Sequence, residues 1–157
     1  MKSKVMIDSN VFLYFLLGTF PDQTCRQKIV TLFESIERRE IEGVTTSRIV
    51  DEVIFKLLLA KTRETYPNKP LEHLKKEIEL ARRLHTIPGN LFDFLDAFGI
   101  EIYPVTVQHL RHSGTLLKAF GLFGNDALIL EVMLSHNLTR LATCDGDFDR
   151  IDLIERY

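Results

Sequence analysis

The apolar positions of this chain change period repeatedly, from short continuous runs to helical spacing and back. Lys4-Val5-Met6-Ile7 reads as a short strand ending at Asp8. Phe12, Leu13, Phe15 and Leu16 then predict a helix that stops at Gly18. Pro21 opens a second helix, with Ile29, Leu32, Phe33 and Ile36 on one face. Gly43-Val44-Thr45-Thr46 is strand-like, and Ser47 is the expected N-cap of a helix carrying Val50, Val53, Ile54, Leu57 and Leu58. After a break at Pro67–Pro70, the positions Leu71, Leu74, Ile78, Ala81 and Leu84 predict one helix ending near Pro88-Gly89. An apolar segment from Leu91 to Phe98 leads to a strand at Ile100–Tyr103. Val107, Leu110, Leu116 and Leu117 suggest a helix broken at Gly114. Asn125 is the expected N-cap of a nearly all-apolar helix from Ala127 to Leu134. Thr139–Thr143 reads as a buried strand, and a last strand is expected near Ile151–Ile154.

Short apolar strands alternating with helices imply a mostly parallel sheet covered on both faces. In such sheets ligands bind beyond the carboxyl ends of the strands. With 157 residues the chain is expected to form a single domain over 1–157. A formal net charge of -2 excludes a histone-like, strongly basic nucleic-acid binder. The apolar run Val11–Leu17 behind Lys2 and Lys4 is too short for a signal peptide, and no stretch approaches a membrane span. Cys25 and Cys144 lie far apart without a CxxC partner. The expectation is two free thiols in a reducing, cytoplasmic setting.

The sheet rule gives weight to where the acids fall. Asp8 follows the first strand, and Asp145, Asp147 and Asp149 follow the strand ending at Thr143. Asp126 stands in the first turn of a helix and heads an apolar stripe of Ile129, Leu130 and Met133. Glu52 lies in the second turn of its helix. Each has an ordinary explanation, since first-turn acids favour the helix dipole and Glu52 has Lys56 at i+4. Gathered on one sheet edge, however, carboxylates about 5 Å apart repel by roughly 3 kcal/mol at an effective dielectric near 20. Such a cluster must spread or hold cations, and oxygen-only ligation suits Mg²⁺ or Mn²⁺. Asp145-Gly146-Asp147-Phe148-Asp149 is no EF-hand, because Arg150 and Arg156 stand where that loop needs Gly and Glu. There is no GxxxxGK[ST], GxGxxG or HExxH, and the five His have no metal-ligand spacing with Cys.

Four segments together resemble the PIN-domain nucleases: Ile7-Asp8-Ser9-Asn10-Val11, Thr46-Ser47-Arg48-Ile49-Val50-Asp51-Glu52-Val53, Asn125-Asp126-Ala127-Leu128-Ile129, and Leu141-Ala142-Thr143-Cys144-Asp145-Gly146-Asp147-Phe148. Their order and spacing span residues 5 to about 154. The resemblance implies a three-layer α/β/α sandwich with a central, mostly parallel sheet, and Mg²⁺- or Mn²⁺-dependent hydrolysis of RNA phosphodiester bonds. It implies that Asp8, Glu52, Asp126 and Asp145 form an acidic quartet. Asp147 and Asp149 are further metal candidates, and Asn10 and Thr143 a supporting set. The small size resembles the VapC-type toxins, which implies an antitoxin partner and a homodimer. The Pro-punctuated helical region at about 60–100 is an elaboration relative to the most compact of these.

Charge divides unevenly along the chain. Residues 56–85 carry a net +4 (eight Lys/Arg against four Asp/Glu), and residues 126–157 a net -4 (three against seven). Lys75, Lys76, Arg82 and Arg83 in the basic block are candidates for RNA contact, set against a solvated helix face with Lys75–Glu79 and Glu79–Arg83 pairs. Two other functions fit the same sequence: an RNA-processing PIN nuclease without an antitoxin, and a non-catalytic RNA- or protein-binding module on the same fold. A phosphorylated receiver fits poorly, because Ser9 and Asn10, not a second acid, follow Asp8.

Overall fold

The computed structural model describes residues 2–157. Strand β1 (Ser3–Ile7) lies at the centre of a five-stranded, all-parallel sheet. On one side of it lie β2 (Ile41–Thr46) and then β3 (Glu101–Tyr103). On the other lie β4 (Arg140–Ala142) and then β5 (Glu155–Arg156). The order is β3-β2-β1-β4-β5. Val5, Met6 and Ile7 are fully buried, as a central strand with both faces covered requires.

The helices form two layers, as right-handed crossovers dictate. One layer holds α1 (Ser9–Leu17), α2 (Gln23–Glu37), α3 (Ser47–Thr65), α4 (Leu71–Leu74), α5 (Ile78–Arg83) and α6 (Ile87–Phe98). The other holds α7 (Val107–Phe120) packed on α8 (Asn125–Ser135). The pleat agrees with this division. A Cβ added at Gly43 of β2 would stand 2.9 Å from the Ile7 side chain and 3.0 Å from that of Ile36 on α2, so only glycine lets the helix sit this close. Tyr103 of β3 points to the opposite layer and stacks on His136 at the end of α8, ring centroids 3.9 Å apart. The abundant phenylalanine is spent largely in one place. Phe12 and Phe15 of α1, Phe33 of α2, and Phe94 and Phe98 of α6 meet at centroid distances of 4.1 to 6.4 Å.

The structure corrects several expectations. The single helix expected over 71–84 is two short helices, α4 and α5, because the backbone turns at Lys75–Glu77. Pro88 does not end a helix but occupies the first turn of α6, where a missing N–H costs nothing. Helix α7 runs unbroken through Gly114. Thr46, not Ser47, caps α3: its Oγ1 accepts from Ile49 N at 3.1 Å, while Ser47 Oγ accepts from Val105 N. Gly124 precedes α8, and Asn125 lies inside the helix with its side chain engaged elsewhere. The last strand falls at Glu155–Arg156 rather than 151–154, where Ile151 is buried in a turn.

The largest correction concerns the cysteines. Cys25 and Cys144 are joined in a disulfide across 119 residues of sequence, so the chain has no free thiol. The first turn of α2 lies beside the segment leaving β4, a neighbourhood invisible to a reading of Cys spacing. With both sulfurs in the bond, no free thiol is left to indicate a reducing compartment. Among the described residues no helix is long and apolar enough to cross a membrane.

Candidate active site

The register of the sheet sets the site. Ile7 of β1 pairs with Ala142 of β4, so Asp8 and Thr143 emerge side by side from the carboxyl edge. Asp8 N donates to Ala142 O at 3.0 Å, which fastens the two exits together. Asp8 is the N-cap of α1 and is 6% exposed. Its Oδ1 accepts from Ser9 N at 2.6 Å, and its Oδ2 accepts from Asn10 Nδ2 at 2.9 Å and Thr143 Oγ1 at 2.8 Å.

Asn10 and Thr143 carry this order outward. Asn10 Nδ2 also reaches Thr143 Oγ1 at 3.0 Å, and Asn10 Oδ1 accepts from Cys144 N at 3.1 Å. Thr143 Oγ1 accepts from Asp145 N at 3.1 Å, and Asp145 Oδ1 accepts from Asp147 N at 3.1 Å. One chain of hydrogen bonds thus runs from β1 through α1 to the acidic turn after β4.

Glu52 approaches from α3, half-buried. Its carboxylate is met by Lys56 Nζ at 2.6 Å, Ser9 Oγ at 3.2 Å and Asn125 Nδ2 at 2.7 Å. Asn125 thereby pins the start of α8, and with it Asp126, to α3. Ser9 and Asn125 are site residues that the sequence pattern does not single out, while Lys56 pairs with Glu52 at i+4 as its spacing predicts. The motif holds Ser9 and Asn125 next to the selected acids, but neither carries a charge to draw notice.

The acids share an electrostatic field. Burial and the neighbouring Asp8, Asp145, Asp147 and Glu52 raise the Asp126 carboxyl to about 6. Burial raises that of Asp8 too, opposed by the hydrogen bonds from Thr143 and Ser9 and reinforced by Glu52 and Asp145. Asp149 is placed apart: its Oδ1 pairs with Arg156 at 2.6 Å, and it is not among the acids that act on Asp126. Lys75, Lys76, Arg82 and Arg83 stand exposed on and between α4 and α5. The expected Lys75–Glu79 pair is not formed, because 75–79 is not one continuous helix, and within α5 Glu79 pairs with Arg82 at 2.7 Å rather than with Arg83; Lys75 lies over the Phe55 ring.

The donor set fits a hard divalent cation. It is oxygen-only, and burial together with the neighbouring carboxylates raises the Asp126 carboxyl, a penalty on negative charge that a cation would offset. Asn125 Oδ1 is buried without a hydrogen-bond partner, a further acceptor at the same edge. The carboxylates are not drawn to a common point: among the described residues no three His, Cys, Asp or Glu side chains are close enough to hold an ion. Shared repulsion and separate hydrogen-bond partners together account for both facts.

A family model described as the PIN domain matches residues 5–154. The chain belongs to the PIN domain family. As a PIN domain it is similar to Ribonuclease VapC2 of Methanocaldococcus jannaschii, 27% identical over 154 residues that cover 98% of this chain and 93% of that one. It is also similar to Ribonuclease VapC13 of Mycobacterium tuberculosis, 26% identical over 153 residues, 97% of this chain and 98% of that one. The PIN fold itself recurs in two solved structures. One is a toxin-antitoxin complex from Klebsiella pneumoniae, with a TM-score of 0.54, 16% identity and coverage of 96% and 95%. The other is VapBC2 from Rickettsia felis bound to a DNA fragment from their promoter, with a TM-score of 0.53, 18% identity and coverage of 98% and 97%.

Proposed function

We propose that this PIN domain is a divalent-metal-dependent endoribonuclease, the toxin of a toxin–antitoxin pair. The observation that carries the reading is the placement of Asp8, Glu52, Asp126 and Asp145 at one sheet edge, linked by hydrogen bonds through Ser9, Asn10, Asn125 and Thr143. The VapC relatives, similar over nearly their whole length, support it. Asp8, Glu52, Asp126 and Asp145 would hold Mg²⁺ or Mn²⁺, with Asp147 nearby. When bound, such an ion supplies an activated water at neutral pH and offsets charge on the phosphate oxygens.

The chain's own residues do the positioning. Three donors fix Asp8 in one orientation, so its carboxylate needs no reorganisation on binding. Ser9 and Asn125 hold Glu52 between α1 and α8. Lys56 balances Glu52 until a cation competes for it. Deprotonation of Asp126 would accompany loading of the site, so cation binding should strengthen as pH rises.

Exposed Lys75, Lys76, Arg82 and Arg83 are proposed to meet the RNA backbone. Phe55, Leu58, Leu59, Leu71, Leu74 and Leu84 line an apolar cavity of about 210 Å³ between α3, α4 and α5, which suits the apolar side of an antitoxin segment. The outward Val107, Leu110 and Leu117 of α7 support a homodimer. An RNA substrate supports a cytoplasmic site of action.

The test is cleavage of RNA by purified protein. Mn²⁺ is expected to support it, EDTA to abolish it, and Asp126→Asn to reduce it at least a hundredfold. Undiminished cleavage by Asp8→Asn/Asp126→Asn would falsify the reading. The dispersed carboxylates favour a second reading, a non-catalytic RNA-binding module. Calorimetry distinguishes the two, since only the nuclease requires Mn²⁺ to bind.

A further inference from the structure

The segment between α7 and α8 contains the most exposed large apolar side chain of the described residues. Phe123 is 85% exposed, while its neighbour Leu122 is fully buried. The backbone around them is held in place. Gly121 (φ 62°) and Gly124 (φ 56°) take left-handed conformations on either side, which let the chain turn sharply without a Cβ clash. Asp126 N donates to Phe123 O at 3.3 Å, so Phe123 opens the turn that delivers Asp126 to the site. Arg150 Nη2 donates to Gly121 O at 3.1 Å, which fastens this loop to the acidic turn. Asn125 fastens its other end to Glu52. A buried anchor and two hydrogen-bonded ends hold the backbone of this loop, which presents an outward aromatic ring three residues before Asp126. At 85% exposure the ring leaves its π-face open to a stacking partner.

We propose that Phe123 is a substrate-positioning residue: its ring stacks on an unpaired base adjoining the scissile phosphate, so the site selects single-stranded RNA. This rests on the ribonuclease reading above. Stacking needs only a π-face, so it tolerates any base sequence but rejects a base held in a duplex. It also complements exposed cations on α4 and α5, which would grip the backbone without sensing whether bases are paired.

The test uses the full chain and an unstructured RNA octanucleotide in Mn²⁺. Phe123→Ala is expected to raise KM about tenfold, the usual scale for loss of one stacked base, with kcat changed less than about twofold. Phe123→Leu keeps the bulk but not the π-face and should behave like Phe123→Ala, whereas Phe123→Trp should restore KM. The protein has no tryptophan, so Phe123→Trp is also a single reporter. Its emission should be quenched on stopped-flow mixing with the octanucleotide, before cleavage, and not by an abasic octanucleotide or a duplex. Because the ring is exposed, all three variants should melt with the parent. If the parent cleaves RNA while Phe123→Ala and Phe123→Leu keep its KM, the stacking role is refuted and the ribonuclease reading stands. An unquenched Phe123→Trp that still binds RNA refutes the stacking role in the same way. If the parent cleaves no RNA in Mn²⁺, both fall together.

Discussion

Asp126 is a single carboxyl whose surroundings cost the fold stability. Its folded pKa, about 6, lies above the ordinary carboxylate value of 3.8. The folded protein therefore binds more protons than the unfolded chain between these values, and stability falls as pH rises through that window. Without metal, Asp126→Asn is expected to melt a few degrees above the parent at pH 7, with the difference gone near pH 4. Thermal melts in EDTA at the two pH values check this; equal melting at pH 7 contradicts it. Lys56 makes the complementary case. Lys56→Gln removes the ammonium that competes for Glu52, so Mn²⁺ should bind a few-fold tighter by calorimetry, about 1 kcal/mol for a half-exposed pair. At this scale the acids are legible in the sequence because each comes just after a strand or near the start of a helix. Ser9 and Asn125 are not, since a neutral side chain reveals its role only through the partner it reaches.

Among the elements, α4 and α5 separate most clearly from the rest. They carry the exposed cations, and the turn between them breaks the helical phase that Leu71, Leu74, Ile78, Ala81 and Leu84 suggest. Apolar residues at helical spacing fit either one helix or two short ones facing the same wall, and here that wall is α3. Pro88 is ambiguous for a related reason: proline is compatible with both the end and the first turn of a helix, and the downstream residues decide between them. Neutralising Lys75, Lys76, Arg82 and Arg83 to Gln should weaken RNA binding at least tenfold and flatten its salt dependence, by filter binding between about 50 and 200 mM salt. An unchanged slope would put the RNA path elsewhere. The strands near the site are better defined, because β1 and β4 are short apolar runs that end at acids or at Thr143.

For the whole molecule, the parallel sheet and its two helical layers follow from the alternation of period along the chain. The cross-link does not. Nothing in the spacing of Cys25 and Cys144 distinguishes two distant thiols from a pair that the fold brings together. Reduction, or Cys25→Ser/Cys144→Ser, is expected to lower stability by about 2–5 kcal/mol, read from urea midpoints with and without reductant. An unshifted midpoint would mean that the bond restrains little in the unfolded chain.

The same bond gives the molecule a covalent topology of its own. Residues 25–144 form a closed ring from which two tails depart at neighbouring points. The tails bring β1 with Asp8 and the turn with Asp145, while Glu52 and Asp126 belong to the ring. A protease that cuts the exposed stretch between α3 and α4 would open the ring without releasing a fragment. Such a nicked protein would remain one molecule on a non-reducing gel and separate into two only when the sulfurs are reduced.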